Sequence, residues 1–384
     1  MSPLTQNGAP RPRVALVHDY LNQYGGAERV IEALHELFPE APVFTSLYDP
    51  AAMPARYRTW DIRTSFLQRI PAARRFHRSL LLLYPMAFEA FDLRQFDVVI
   101  SNSSAWAKSV ITGPATTHIC YCLTPMRWAW NYAEYVEREG LGKATRAVLP
   151  AAIHYLRLWD VATAKRVDRF VGISRAVVAR IGKYYGRAAD LIPPPVDVAD
   201  AELSTSHSDQ FLVVSRLIPY KRIDLAVAAC SRLGLPLTVI GDGRDRARLE
   251  ALAGDSVRFT GRMPDAEVRR AFAGCGAFVF PGEEDFGIAP VEAMAAGRPV
   301  VAFAGGGALD TVVEGLSGRF FREQTVESLC ATLSEFDSNA FDPAAIRAHA
   351  MQFDKSAFQE SIRRVVARAT AEGGRIAAGE PSSV

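Results

Sequence analysis

Two trains of alternating strand and helix patterns, parted by three consecutive prolines, constrain this chain more than any other feature. The first train opens on RVALVH at 13–18, a short apolar run that reads as a buried strand. A polar, glycine-bearing stretch follows, and AERVIEALHELF then places Val30, Ile31, Leu34, Leu37 and Phe38 on one helical face. PVFTSLYD, FDVVISNSS, THICYCL and RFVGIS read as further strands with helical patterns between them. Pro193, Pro194 and Pro195 stop regular structure, and the polar AELSTSHSD extends the break. The second train runs through FLVVSRL, a helix at DLAVAACSRL, PLTVIGDG, VRFTG, AFVFPG and PVVAF. Such alternation implies right-handed crossovers and a parallel sheet. Two trains of similar size imply an α/β chain of two Rossmann-like domains facing a cleft. The expected divisions are a first domain at 1–195, a second at 205–356, a helix at 357–372 and a disordered tail at 373–384.

Length and charge narrow the function classes. A chain of 384 residues, 49% apolar, has ample material for two cores. A net charge of +2 gives no global reason to expect nucleic acid as a partner. The five cysteines are scattered, and Cys120-x-Cys122 alone is a poor metal site, so free core thiols in a reducing compartment are expected. The first fifteen residues carry no apolar core of a signal peptide. No apolar run approaches the roughly 20 residues of a membrane helix. A cytoplasmic enzyme, peripheral to a membrane at most, is therefore expected.

The chemistry concentrates at PGEEDFGIAPVEAMAAGRPVVAFAGGG, residues 281–307. The strand AFVF ends at Pro281, and ligands of open α/β sheets bind outside the carboxyl ends of strands. Phe286, Gly287, Ile288 and Ala289 lead to Pro290, a favoured first residue of a helix, whose free N–H groups would receive an anion. Glu292 would lie in the first turn, where an acid also suits the helix dipole. That alternative does not explain Glu284. A diphosphate on these amides, with Glu292 toward a ribose and Glu284 toward a sugar, explains both. Arg216 directly follows the strand FLVVS, and Lys221 follows five residues later; both suit phosphate, though both also suit an ordinary surface loop. Gly25 and Gly26, between a strand and a helix, would let a ligand approach the backbone, or simply make a tight turn. Gly241 opens GDGRDR, half of a dinucleotide fingerprint without its third glycine. GGGALD at 305–310 is another close-approach loop.

Together these pieces resemble the family 4 glycosyltransferases. The resemblance rests on Glu284 to Glu292 as E-x7-E, S-R-L-x-x-x-K-R at 215–222, G-D-G at 241–243, G-R-M-P at 261–264 and the Gly25-Gly26 loop, all in the family's order. It implies the two-domain GT-B fold, with an acceptor-binding first domain, a nucleotide-sugar-binding second domain and a C-terminal helix crossing back to the first. It implies retaining transfer from a nucleotide sugar without metal. Arg216 and Lys221 would neutralise the donor diphosphate, Glu284 would hold the transferred sugar and Glu292 the ribose. Gly25, Gly26, Gly241, Arg262, Phe286, Gly287, Ile288 and Ala289 complete the expected donor site.

HICYCLTPMRWAWNYAEYV at 118–136 resembles the branch containing bacterial GDP-mannose-dependent mannosyltransferases of O-antigen and exopolysaccharide assembly. Leu123 stands where relatives often carry His, and Asp310 where they more often carry Glu. His118, Arg127 and Asp19 are candidate sugar or acceptor contacts, although His118, on an expected strand, reads first as a core or edge histidine. A lipid-linked oligosaccharide is the expected acceptor. Residues 63–84, with Arg63, Arg69, Arg74, Arg75 and Arg78 among Leu and Phe, would rest on an anionic membrane from the cytoplasmic side, unless they form a solvated helix face. The rivals are the same fold with UDP-glucose or a dTDP-sugar, and a non-catalytic nucleotide-sugar-binding protein. An NAD-dependent dehydrogenase would need a fuller glycine fingerprint than Gly25-Gly26 supplies.

Overall fold

The computed structural model describes residues 12–71, 77–131, 143–205 and 208–377. The chain forms two compact units. The first comprises residues 1–192 with 359–384, and the second residues 193–358. The first holds a seven-stranded sheet built from β1 (Val14–His18), β2 (Val43–Thr45), β3 (Ile62–Thr64), β4 (Val98–Ser103), β5 (Thr117–Cys122), β6 (Arg169–Gly172) and β7 (Ala189–Leu191). Its order is β3-β2-β1-β4-β5-β6-β7. The second holds β8 (Phe211–Val214), β9 (Leu237–Ile240), β10 (Val257–Gly261), β11 (Ala277–Phe280), β12 (Val300–Phe303) and β13 (Gly318–Phe321), ordered β10-β9-β8-β11-β12-β13. Every pairing in both sheets is parallel.

Each sheet therefore reverses its strand order once, between β1 and β4 in the first and between β8 and β11 in the second. Those central strands are buried on both faces, which is why they carry the apolar runs VALV, VVI and AFVF. Val17, Phe44, Phe88 and Trp106 belong to the first core; Val213, Val239, Val279 and Phe321 belong to the second. The short strands β3, β7 and β13 lie at sheet edges and were not anticipated. IRT and ADL are too short and polar to announce a strand.

The helix Lys355–Ala377 belongs from Gln359 onward to the first unit, where Gln359 Nε2 donates to the Ala33 carbonyl at 3.2 Å. It runs past the expected end at 372; of the expected tail, residues 378–384 lie outside the described residues. Residues 63–84 do not form one continuous amphipathic helix. Arg63 lies in β3, Phe66–Arg69 is a 3-10 turn and His77–Leu83 a second 3-10 segment. Arg74 and Arg75 lie outside the described residues. Among the described residues no helix is long and apolar enough to cross a membrane.

Candidate functional site

The reversal in the second sheet places the loops after β8 and β11 side by side at the strands' carboxyl ends, where an α/β sheet binds ligands. After β8 come Ser215, exposed Arg216 and buried Leu217. A 3-10 turn, Pro219–Lys221, follows. Arg222 then takes φ 52°, the one non-glycine positive φ among the described residues, before the helix Ile223–Leu233 begins. Strain of this kind concentrates at functional sites. After β11, Gly282 lies so close to the turn that a Cβ would sit 2.7 Å from the Lys221 carbonyl oxygen. Lys221 Nζ bonds Glu284 Oε1, an ion pair with side chains 12% and 21% exposed. Two expected site residues, 63 positions apart in the chain, thus touch.

The glycine loops brace this arrangement. Gly241 has φ 136°, and a Cβ there would fall 1.8 Å from the Ser215 carbonyl oxygen. Leu217 N also donates to the Asp242 carbonyl at 3.0 Å. The close approach at Gly241 is therefore to the protein's own backbone, supporting the loop that carries Arg216; the expected direct ligand contact is not needed to explain this glycine. Gly307 N donates to the Glu284 carbonyl at 2.8 Å, and a Cβ on Gly306 would lie 2.2 Å from that same oxygen.

The helix after the acidic loop spans Ile288–Ala295 with Gly287 as its N-cap. It begins two residues before Pro290, so Glu292 is its fifth residue and lies beyond the first turn. The expectation that Glu292 serves the first-turn dipole is thus corrected, because that effect fades within a turn. Glu292, Ile288 and Ala289 are half-buried. Phe286 is buried against Phe353, ring centroids 5.7 Å apart, so only its backbone faces the loop's chemistry. Arg262 is exposed at the end of the edge strand β10, and Asp310 lies in the short helix Ala308–Thr311.

In the first unit the reversal between β1 and β4 is clasped by Asp19. Its carboxylate accepts from the amides of Ser104, Ala105, Trp106 and Ala107 at 2.7–3.0 Å and from Ser104 Oγ at 2.7 Å. Asp19 is 3% exposed, so its lone pairs hold the loop after β4 and are not presented to a sugar or acceptor. His118 is fully buried in β5, with Nε2 2.9 Å from Ser101 Oγ. Burial pushes its pKa down to about 4, so His118 is the core histidine that its strand position suggested rather than a sugar or acceptor contact. Gly25 caps the helix Gly26–Leu37 at an extended φ of −167°, where a Cβ would make an ordinary 3.4 Å contact with Glu28 Oε2. Neither strain nor crowding demands glycine there. Tyr24 beside it is tied to Glu32, which Arg56 clamps with two bonds of 2.6 and 2.7 Å. Arg127 opens the helix Arg127–Trp130 and is half-buried.

Sequence reasoning missed two buried polar groups. Lys108 pairs with Asp160, which also accepts from Trp130 Nε1 and Tyr185 OH at 2.8 Å each. His18 Nε2 lies 3.4 Å from Glu28 Oε1, and Asn102 Nδ2 3.2 Å from His18 Nδ1. A single charged residue, Lys108, among the small and apolar residues of SSAWAKSV is the visible signal of the first. Among the described residues no group of three or more His, Cys, Asp or Glu could hold a metal ion.

Residues 199–353 match the family of glycosyl transferases group 1. The matched stretch lies wholly within the second unit. The likeness extends to a GDP-mannose-dependent alpha-mannosyltransferase of Mycolicibacterium smegmatis, 30% identical over 187 residues, which are 47% of this chain and 49% of that protein. A glycogen synthase of Pseudomonas syringae pv. syringae is 33% identical over 142 residues, 34% of this chain and 29% of that protein. The matched stretch thus spans about half or less of these curated relatives. The crystal structure of HepE from Anabaena in complex with UDP superposes with a TM-score of 0.67 over 93% of this chain and all of that one, at 17% identity. The two parallel-sheet units are the GT-B glycosyltransferase fold, and Arg216, Lys221, Glu284 and Glu292 all fall inside the family match.

Proposed function

We propose that the chain is a retaining α-mannosyltransferase that moves mannose from GDP-mannose to a lipid-linked saccharide in cell-surface polysaccharide synthesis. The observation that carries the donor site is the contact of Lys221 with Glu284 at the adjoining carboxyl ends of β8 and β11. Arg216 and Lys221 neutralise the donor diphosphate, joined by the N–H groups of Gly287, Ile288 and Ala289. Glu292 binds the ribose, and Glu284 accepts from the sugar hydroxyls. As the anomeric carbon–oxygen bond breaks, its electrons pass to the diphosphate, which these preorganised donors stabilise. The acceptor oxygen bonds the anomeric carbon on the same face and gives its proton to the departing diphosphate. Gly25 and Gly26 leave room for the donor or acceptor in the first unit, with Arg127 as a further acceptor contact. Residues 63–84 bring the chain to an anionic membrane surface.

The donor assignment draws on the Mycolicibacterium smegmatis relative, a GDP-mannose-dependent enzyme. UDP-glucose is the second reading, because the HepE crystal structure contains UDP. Thermal unfolding with GDP, UDP, GDP-mannose, UDP-glucose and dTDP-rhamnose, each with EDTA, decides between them, since a ligand of the folded state raises Tm. Stabilisation by GDP and GDP-mannose alone is expected. Stabilisation by only UDP or dTDP compounds would overturn the donor. Lys221→Ala is expected to lower transfer about 100-fold or more, and full activity would refute its role.

A further inference from the structure

Lys221 and Glu284 hold each other through side chains that are largely shielded from water. Their backbones are fixed. The turn that carries Lys221 abuts Gly282, and the Glu284 carbonyl is bonded to Gly307 N with Gly306 packed beneath it. Only the two side chains are left to move. Arg216 differs: it is exposed, and no ion pair joins it to another described residue. One cation of the donor site is thus available at once, and the other is reserved by a carboxylate.

We infer that this pair makes the site read a sugar and a diphosphate as one molecule. The inference rests on the donor-site reading above. A nucleoside diphosphate alone draws Lys221 to its phosphate and leaves Glu284 without a partner, beside new negative charge. A half-shielded carboxylate stripped of its cation is costly. A nucleotide sugar supplies phosphate oxygens to Lys221 and hydroxyl donors to Glu284 together, so both find new partners. The pair therefore weakens binding of the product nucleoside diphosphate relative to the intact donor. It opposes product inhibition and speeds release of the leaving group.

The test is calorimetric titration of the full chain with a nucleoside diphosphate and its sugar conjugate, GDP with GDP-mannose and UDP with UDP-glucose. Glu284→Gln is expected to bind the nucleoside diphosphate about three- to tenfold tighter than the wild type, while the conjugate binds no tighter. The affinity ratio between the two ligands therefore narrows. Glu283→Gln, which removes an exposed neighbouring charge that does not pair with Lys221, controls for general electrostatics and should leave the ratio unchanged. Glu284→Asp keeps the charge on a shorter arm; it should shift the ratio in the same direction and serves if the Gln variant does not fold. Unchanged or weaker diphosphate binding in the Glu284 variants would overturn the inference, as would equal tightening of both ligands. Wild-type protein that binds none of the four nucleotides would instead overturn the donor-site reading itself.

Discussion

Burial holds the His118 imidazole neutral, its pKa pushed down to about 4 from the ordinary 6.5, with the Lys108 ammonium adding to the effect. The unfolded chain therefore takes up a proton near pH 6.5 that the folded chain refuses until about pH 4. The stability associated with this neutral ring is fully present above pH 6.5 and is lost as pH falls from there toward 4. His118→Gln, which can keep a hydrogen bond to Ser101, should flatten that part of the stability curve. Urea midpoints for both proteins at pH 7.5, 6 and 5 check this. A wild-type curve that falls no more steeply than the variant's across that range would refute the assignment. The same residue marks a limit of reading from sequence. A histidine in THICYCL suits a core first and a site second, and only its burial opposite Val99 of β4, with Nε2 bonded to Ser101 Oγ, decides. Asp19 and Lys108 are similar: their partners lie 85 to 88 and 52 positions away.

At the scale of elements, two glycines that look alike in the sequence have opposite requirements. Gly241→Ala would combine an unfavourable left-handed backbone with a Cβ forced onto the Ser215 carbonyl. It should cost about 1–3 kcal/mol or more and weaken nucleotide binding by displacing the loop of Arg216. Gly25→Ala meets neither obstacle and should leave the denaturation midpoint nearly unchanged while lowering transfer. Denaturation and activity measured side by side separate the two; equal loss of stability in both would sink this account. Glycine spacing alone could not distinguish them, because it does not reveal which backbone approaches which. Central strands were legible because burial on both faces leaves apolar runs such as VALV and AFVF. The edge strands ADL and GRFF were not, because an edge needs no such run. Pro290 misled in the same way: proline is welcome anywhere in a first turn, and the helix starts two residues earlier.

Across the whole molecule, the last described helix completes the first unit, although the second unit separates them in sequence. Ile362, Val365, Val366 and Ala369 recur at helical spacing and are buried, which is the amphipathic face that made this helix legible. Which unit it covers was not written in that periodicity, since an apolar stripe says only that something must lie over it. The Gln359 bond to Ala33 shows the answer and ties the helix to Gly26–Leu37. The first unit therefore cannot bury its full core until residues 359–377 are made. Removing part of that contact should loosen the first unit selectively. Ile362→Ala should cost about 2–5 kcal/mol, and hydrogen exchange should quicken in the helix Gly26–Leu37 while strands β8 and β11 keep their protection. Nucleotide-induced stabilisation of the second unit should survive the change, because every proposed phosphate, ribose and sugar contact outside the Gly25-Gly26 loop lies at 216–292. Exchange that quickens equally in both units would mean that they unfold as one cooperative body, and the helix would then be a brace for the whole chain and not a cover for its first half.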